Sequence, residues 1–341
     1  MKKYKLLLDL VNAFGVSGKE AEVRNIIAKA IRPYVDKVYA DKMGNLICQK
    51  KGKSPKIMVA AHMDEIGLIV KNIEKDGKLK ISTIGGIEHV TILNEKVQIK
   101  TRKKNVTGIV TTTHISSDDI LYDLPKLDEM FVDTGLSKQE LTKAMVHIGS
   151  FITFIPNAEI MGNNKIITGK ALDDRIGCFV LIELAKKLKN SKNEVFFVFT
   201  VQEEIGLYGA KTSTYTVDPD WAIAVDVTTC DDRATHFSKA LGFGPTLTIK
   251  DADMITNPCI DDWLLEIAKK QKIPLQPEVT EVGTTDAMRI AISKGGVPSS
   301  VIGVSVRNLH TATGMAHLDD IDNAIKILHH LLKNPQPVCL T

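Results

Sequence analysis

The run Val201-Gln202-Glu203-Glu204-Ile205-Gly206 places two carboxylates side by side directly after an apolar segment. That segment, Glu194-Val195-Phe196-Phe197-Val198-Phe199-Thr200, is rich in β-branched and aromatic residues and is typical of a buried strand. Ligands bind at strand ends in open α/β sheets, and neighbouring side chains there point in different directions. One Glu can therefore hold a cation while the other faces a substrate. Because an isolated Glu-Glu pair more often marks a solvated turn, this interpretation depends on similar sites elsewhere in the chain.

Two further buried strands end on residues that can bind metals. Residues 56–61 form a continuous apolar run that leads into His62, with Asp64 two residues later. Residues 221–225 form another such run, which ends on Asp226. Since buried parallel strands often end at the same edge of a sheet, these side chains are expected to lie close to the Glu pair.

The second half of the chain adds three more candidates. Asp173 or Asp174 begins an amphipathic helix that we expect to run to about residue 188. A predicted strand over residues 299–304 leads into a loop that holds His310 and His317. A single Asp at a helix start is more often a cap, and a single His is more often a hydrogen-bonded core residue. His317 directly precedes the last predicted helix and is interpreted as such a cap.

The strand-end residues together supply two imidazoles and several carboxylates. They are His62, Asp64, Asp173, Glu203, Glu204, Asp226 and His310. Carboxylates gathered in a low dielectric repel one another, and cations relieve that repulsion. A nitrogen and oxygen donor set without thiolates suits zinc, cobalt or manganese. The set is too large for one tetrahedral zinc, so two metals about 3.5–4 Å apart, bridged by one carboxylate, account for it better.

Composition, cysteine spacing and the lack of certain motifs argue against several other classes of protein. The 341 residues are 44% apolar and 25% charged, and the net charge of +3 gives no reason to expect nucleic acid or membrane binding. The five cysteines are scattered without a C-x-x-C pair, which is typical of a reducing compartment, so we expect a cytoplasmic protein. Motifs for serine hydrolases, P-loop nucleotide binding and H-E-x-x-H peptidases are missing.

The pattern of apolar and polar residues changes between residues 68 and 166. Short alternating runs separated by turn signals replace the longer helices and buried strands, a pattern typical of a small β-barrel or sandwich. We therefore predict an α/β catalytic domain formed by residues 1–67 and 167–341, with residues 68–166 inserted as a β-barrel domain.

Five motifs, in order along the chain, resemble those of the M42 metallopeptidases. They are Ala61-His62-Met63-Asp64-Glu65-Ile66-Gly67, Ala171-Leu172-Asp173-Asp174-Arg175, Val201-Gln202-Glu203-Glu204-Ile205-Gly206, Val225-Asp226-Val227-Thr228 and Arg307-Asn308-Leu309-His310. That family includes glutamyl, deblocking and tetrahedral TET aminopeptidases, and some members carry an endoglucanase label. The resemblance implies a phosphorylase/hydrolase-like α/β core with a PDZ-like β-barrel insertion.

The resemblance also implies a role for each site residue. His62 and Glu204 match ligands to different divalent metals, zinc or cobalt, and Asp173 matches the bridging carboxylate. Asp226 and His310 match the remaining metal ligands. Glu203 matches the general base, and Asp64 matches the carboxylate that orients the first histidine. The implied reaction is the release of N-terminal residues from short peptides.

The resemblance further implies a homo-oligomer, commonly a dodecamer of tetrahedral shape, in which the insertion takes part in subunit contacts. Two other functions remain open from the sequence, an endoglucanase-type glycoside hydrolase and a catalytically degenerate assembly protein. The sequence departs from the family pattern at Thr284, Asn308, Ala312 and Gly314. We expect these departures to affect substrate preference more than chemistry.

Overall fold

The computed structural model describes residues 2–113, 125–189, 191–230, 232–233, 239–335 and 337. Its strands, numbered in chain order, are β1 (Lys37–Ala40), β2 (Leu46–Lys50), β3 (Lys53–His62), β4 (Gly67–Ile73), β5 (Leu79–Ile84), β6 (Lys96–Ile99), β7 (Val106–Thr112), β8 (Met130–Asp133), β9 (Phe151–Phe154), β10 (Glu159–Met161), β11 (Ile166–Gly169), β12 (Asn193–Thr200), β13 (Trp221–Thr229), β14 (Thr246–Lys250), β15 (Gln276–Val279), β16 (Ser299–Arg307) and β17 (Gly314–His317). Its α-helices are α1 (Lys5–Asn12), α2 (Ala21–Ile31), α3 (Lys138–Lys143), α4 (Leu172–Lys187), α5 (Tyr208–Val217), α6 (Pro258–Gln271), α7 (Asp286–Ala291) and α8 (Leu318–Lys333). None of the described helices is both long and apolar enough to cross a membrane.

A mixed 11-stranded sheet forms the centre of the larger part of the molecule, which confirms the predicted α/β class. Its middle strands, β12, β3, β13 and β16, run parallel, and Thr200 of β12 pairs with His62 of β3. Ala224 of β13 pairs with Ala60, so Asp226, two residues later, ends level with His62. The candidate ligands on these strands therefore lie level with one another at one end of the sheet.

Helices cover both faces of this sheet, and the side chains of β3 show why. Ile57 and Val59 belong to a core that includes residues of α1, α2, α4, α6 and α8. Met58 and Ala60, which alternate with them, belong to a second core with residues of α5 and α7. Because successive strand residues point to opposite faces, a continuous apolar run can fill both cores.

A separate closed β-barrel, with strand order β4-β5-β8-β7-β6-β9, confirms the small barrel expected from the alternating runs. It has its own apolar core. Strands β10 and β11 pair in the large sheet, although residues 159–161 were predicted to belong to the insertion. Residues 114–124 of the predicted insertion lie outside the described residues. The division of the chain at residue 166 stays a prediction.

A buried cluster of charges fixes the loop that follows β3. The carboxylate of Glu65 forms an ion pair with Lys170, and it accepts a hydrogen bond from the Gly15 amide at 2.8 Å. Arg175 donates from Nε to the Met63 carbonyl at 2.8 Å. These charged side chains are almost fully buried, so removing one partner would cost about 3–5 kcal/mol. The cluster holds the backbone on either side of His62 and Asp64 in place.

Candidate active site

One cavity of about 550 Å³ collects most of the residues that the sequence singles out. His62 is the last residue of β3, Glu203 and Glu204 follow β12, and Asp226 lies near the end of β13. Two further residues line the same cavity, Asp173 in the first turn of α4 and His310 in the loop after β16. Three strand ends, a helix start and a loop thus bring these side chains into one site.

The carboxylate of Asp173 lies between two groups of candidate ligands. Its Oδ1 is 2.8 Å from Nε2 of His62, which in turn lies 3.8 Å from Oδ1 of Asp226. Its Oδ2 is 3.2 Å from Nε2 of His310, which lies 3.6 Å from Oε2 of Glu204. Each oxygen of Asp173 therefore faces a different imidazole, and each of these imidazoles lies near one further carboxylate.

Asp64 lies behind the cluster and orients several of its members. Its Oδ1 accepts a hydrogen bond from the Glu203 amide at 3.0 Å, and its Oδ2 accepts one from the Glu204 amide at 3.2 Å. Ser17 donates a third hydrogen bond, at 2.6 Å, and Nδ1 of His62 lies 3.6 Å from Oδ1. Burial alone would raise the pKa of Asp64, but these partners, His62 first, lower it. The fully buried, ionised carboxylate thus holds the Glu203-Glu204 turn, and Nδ1 of His62 faces both this carboxylate and, at 3.2 Å, the backbone carbonyl of Asp64.

Burial and mutual repulsion disfavour the ionised forms of three carboxyls in the cluster. The pKa of Glu203 is raised well above its ordinary value by burial and by the carboxylates of Asp226, Asp286 and Glu204. Burial and the nearby Asp173 raise the pKa of Glu204 to about 8, and the same two causes raise the pKa of Asp226 to about 8. A bound cation would relieve this repulsion and favour the ionised forms.

The imidazoles show the complementary effect. Burial would lower the pKa of His310, but its hydrogen bond to Asp173 and the charge of Glu204 outweigh burial and raise that pKa to about 9. The pKa of His62 is likewise raised well above its ordinary value, mainly by Glu203 and Asp173. Burial would raise the pKa of Asp173, yet the two histidines bring it below its usual range. When no metal is bound, protonated imidazoles would balance part of the negative charge of the neighbouring carboxylates.

These residues fit divalent metal ions. Ligand atoms of His62, Asp173 and Glu204 lie within 4.8 Å of one another, and so do those of His62, Asp174 and Asp226. Oε1 of Glu204 is buried and has no hydrogen-bond partner among the described residues. A buried carboxylate oxygen without a partner is costly, and a cation would satisfy it. The donors are nitrogen and oxygen atoms without thiolates, which suits zinc, cobalt or manganese.

Two buried carboxyls beside the cluster, those of Asp174 and Asp286, had no role predicted from the sequence. Oδ2 of Asp174 faces the His62 amide at 3.3 Å, and its Oδ1 accepts a hydrogen bond from the Gly177 amide at 2.8 Å. Asp286, at the start of α7, accepts a hydrogen bond from Thr200 at 2.5 Å, and its pKa is raised to about 6, first by burial. Asp174 was visible as the neighbour of Asp173. Asp286 follows Thr284 by two residues, a segment expected to affect substrate preference, but no role was predicted for Asp286 itself.

The two histidines of the loop after β16 lie in different environments. His310 lines the cavity and faces Asp173 and Glu204. His317 is the N-cap of α8, where its Nδ1 accepts a hydrogen bond from the Asp319 amide at 3.2 Å. The predicted capping role of His317 matches this geometry.

Comparison with known proteins gives a consistent family match. The family model for M42 glutamyl aminopeptidase matches residues 44–327. A putative aminopeptidase of Acetivibrio thermocellus is 40% identical over 329 residues, 95% of this chain and 97% of the relative. The lysyl aminopeptidase of Pyrococcus furiosus is 35% identical over 351 residues and covers 100% of both chains.

Solved structures agree with the sequence matches. Aminopeptidase APDkam598 of Desulfurococcus kamchatkensis superposes with a TM-score of 0.94 at 35% identity, covering 98% of this chain and 96% of that one. The Pyrococcus horikoshii TET1 peptidase, which can assemble into a tetrahedron or a large octahedral shell, superposes with a TM-score of 0.87 at 30% identity, covering 96% and 98%. A protein of Thermotoga maritima described as an endoglucanase superposes with a TM-score of 0.79 at 31% identity, covering 96% of both chains.

Proposed function

Because the chain belongs to the M42 glutamyl aminopeptidase family, we propose that it is a dinuclear-metal aminopeptidase that removes N-terminal residues from short peptides. The observation that carries the dinuclear assignment is the position of Asp173 between two ligand groups. Its Oδ1 faces His62 and its Oδ2 faces His310. A carboxylate placed in this way can bridge two cations.

The proposed ligands divide between the two sides of Asp173. His62 and Asp226 would hold one ion, and His310 and Glu204 would hold the other. Asp174 is a poorer ligand because both of its oxygens already face backbone amides. When bound, divalent ions of this kind make a water nucleophilic near neutral pH and polarise the carbonyl of the scissile bond.

Glu203 is the proposed general base. Its Oε2 lies 3.9 Å from Nε2 of His62, so it is close to the ligands, and its pKa is raised well above the ordinary value. It would accept the proton of the attacking water and then donate it to the leaving amine. Asp64 would act through His62, by holding the imidazole in the orientation that a ligand needs.

Reconstitution of the chelated protein tests this function. We expect chelation to abolish hydrolysis of aminoacyl-p-nitroanilides, and zinc, cobalt or manganese, added in turn, to restore it. The ion that restores activity best would identify the preferred metal. Full activity after complete removal of metal would contradict the proposal.

An endoglucanase is the second candidate, favoured by the name of the Thermotoga maritima neighbour. Hydrolysis of a β-glycosidic bond needs two carboxyls that face one bond about 5–9.5 Å apart. Glu203 and Glu204 are adjacent, and here they face different partners, His62 and His310. Parallel assays on peptide and cellulose substrates separate the two activities, and metal analysis tests whether the protein is instead a degenerate assembly protein.

Assembly and location are also proposals. The TET1 peptidase can assemble into a tetrahedron or a large octahedral shell, and we propose that this chain forms a homo-oligomer, up to a dodecamer, through its barrel, for which we propose a PDZ-like fold. Light scattering on the purified protein measures the subunit count. A cytoplasmic location is proposed from the sequence and can be tested by cell fractionation.

A further inference from the structure

The cavity of the candidate active site continues over the face of the large sheet to a second group of charged side chains. Thr228 lies two residues beyond Asp226 on β13, so both side chains point to the same face, about 7 Å apart along the strand. Oγ1 of Thr228 donates a hydrogen bond to Oε2 of Glu278, on β15, at 3.3 Å. Lys239 and Asp251 line the same cavity. A substrate side chain that extends from the metal cluster can therefore reach this group.

The opposite charges of Glu278 and Lys239 pair with each other. Nζ of Lys239 forms an ion pair with Oε2 of Glu278, and it donates a hydrogen bond to Oγ1 of Thr228 at 2.7 Å. Oε1 of Glu278 accepts a hydrogen bond from Thr248 at 2.9 Å. Both charges are mostly buried and paired, so neither is available to a ligand without breaking this network.

Asp251 differs, because only one of its carboxylate oxygens is paired. Oδ1 accepts hydrogen bonds from the amides of Asp253 and Met254, each at 2.8 Å. Oδ2 is buried and has no hydrogen-bond partner within the ranges that the structure describes. The residue is only 3% exposed, and the amide of Ala252 donates to the Gly283 carbonyl at 3.1 Å, which fixes the loop. A rigid, buried carboxylate with one free oxygen is suited to a cation.

The net charge of Glu278, Lys239 and Asp251 favours a positively charged substrate side chain over a negatively charged one. Glu278 and Asp251 contribute two negative charges and Lys239 one positive charge, so the group carries a net charge of −1. An acidic ligand side chain would meet the free carboxylate and would have to displace Glu278 from Lys239. A lysine or arginine side chain would pair with Asp251, while Val282 and Leu309, which also line the cavity, can contact its apolar stem.

We propose that Asp251 selects a basic residue, lysine or arginine, at the N-terminus of the peptide substrate. This inference rests on the proposed aminopeptidase function and adds the substrate class to it. Asp251 is a specificity-determining residue in this proposal and takes no part in the chemical step.

The test is a comparison of kcat/KM for the metal-loaded protein on the p-nitroanilides of lysine, arginine, leucine and glutamate. Wild type should favour lysine and arginine. Asp251→Asn keeps an oxygen for the loop amides, and it should lower kcat/KM for the basic substrates about 10- to 100-fold, mainly through KM. Its kcat/KM for the leucine substrate should stay within about threefold, the margin expected when no charged contact is lost. Asp253→Asn, an exposed change of the same kind in the same loop, is the matched control and should leave all four values unchanged.

Three outcomes would overturn the inference. The first is a wild-type enzyme that cleaves leucine or glutamate substrates better than basic ones, which refutes the selection but leaves the aminopeptidase function intact. The second is an unchanged ratio of lysine to leucine activity in Asp251→Asn, or an equal loss on all four substrates. The third is a metal-loaded protein that cleaves none of them, which refutes the proposed function and the selection together.

Discussion

Replacing His310 by asparagine should remove one of the two metal ions and leave the other. His310 contributes the only imidazole on its side of Asp173 among the described residues, at 3.2 Å from Oδ2 and 3.6 Å from Glu204. Its backbone is left-handed, with φ of +57°, a conformation that asparagine tolerates better than alanine does. The substitution therefore removes the ligand with little added backbone strain.

The expected loss of affinity is large and confined to one side. Removing a group that merely supports a ligand already costs about 10- to 100-fold in metal affinity, so losing the ligand itself should cost more. On the other side, His62, Asp226 and Oδ1 of Asp173 are unchanged. We expect one ion per subunit after dialysis, by plasma mass spectrometry, where wild type holds two. Activity should fall on the order of 10²-fold or more, as for loss of one transition-state contact.

His317→Ala is the matched control from the same part of the chain. It removes the N-cap of α8, which should cost about 1 kcal/mol of stability, and it should keep both ions. Two ions in His310→Asn, or one ion in His317→Ala, would refute the ligand assignment.

Three further predictions follow from the site and the barrel. Glu203→Gln should keep both ions but lose about 10²-fold or more of its activity, and a fully active or metal-free variant would exclude Glu203 as the base. Metal affinity should rise between about pH 6.5 and 9, since His310 gives up its proton only near its pKa of about 9 and Glu204 and Asp226 near their pKa of about 8. Zinc titration calorimetry in two buffers would show the proton release, and a pH-independent affinity would contradict this account. Replacing barrel residues 68–154 by a short linker should give a smaller assembly by light scattering, and an unchanged subunit count would rule out the barrel as the assembly element.

The sequence predicted the elements whose signals are local. The apolar run of residues 194–200 forms nearly all of strand β12, which ends at Thr200, three residues before Glu203. His62 also stands at a strand end, as expected, because the run that buries a strand also indicates where it stops. His317 caps α8 through an amide only two residues away. Each of these features depends on neighbours along the chain, so the sequence alone was sufficient to predict it. Asp226 was expected at the end of its strand as well, but β13 continues to Thr229 because residues 227–229 still pair with β16.

The tertiary structure decided everything that depends on pairing between distant segments. Strand β10 joins the large sheet because it pairs with β11, and no local pattern distinguished it from the barrel strands. Asp286 reaches the site because α7 packs against β13 and β16, beside Thr200. At Asp251, the loop amides of Asp253 and Met254 both donate to Oδ1, and no described group donates to Oδ2. A carboxylate has the same composition whether it is paired or unpaired, and only the folded chain determines which partners come within reach of it.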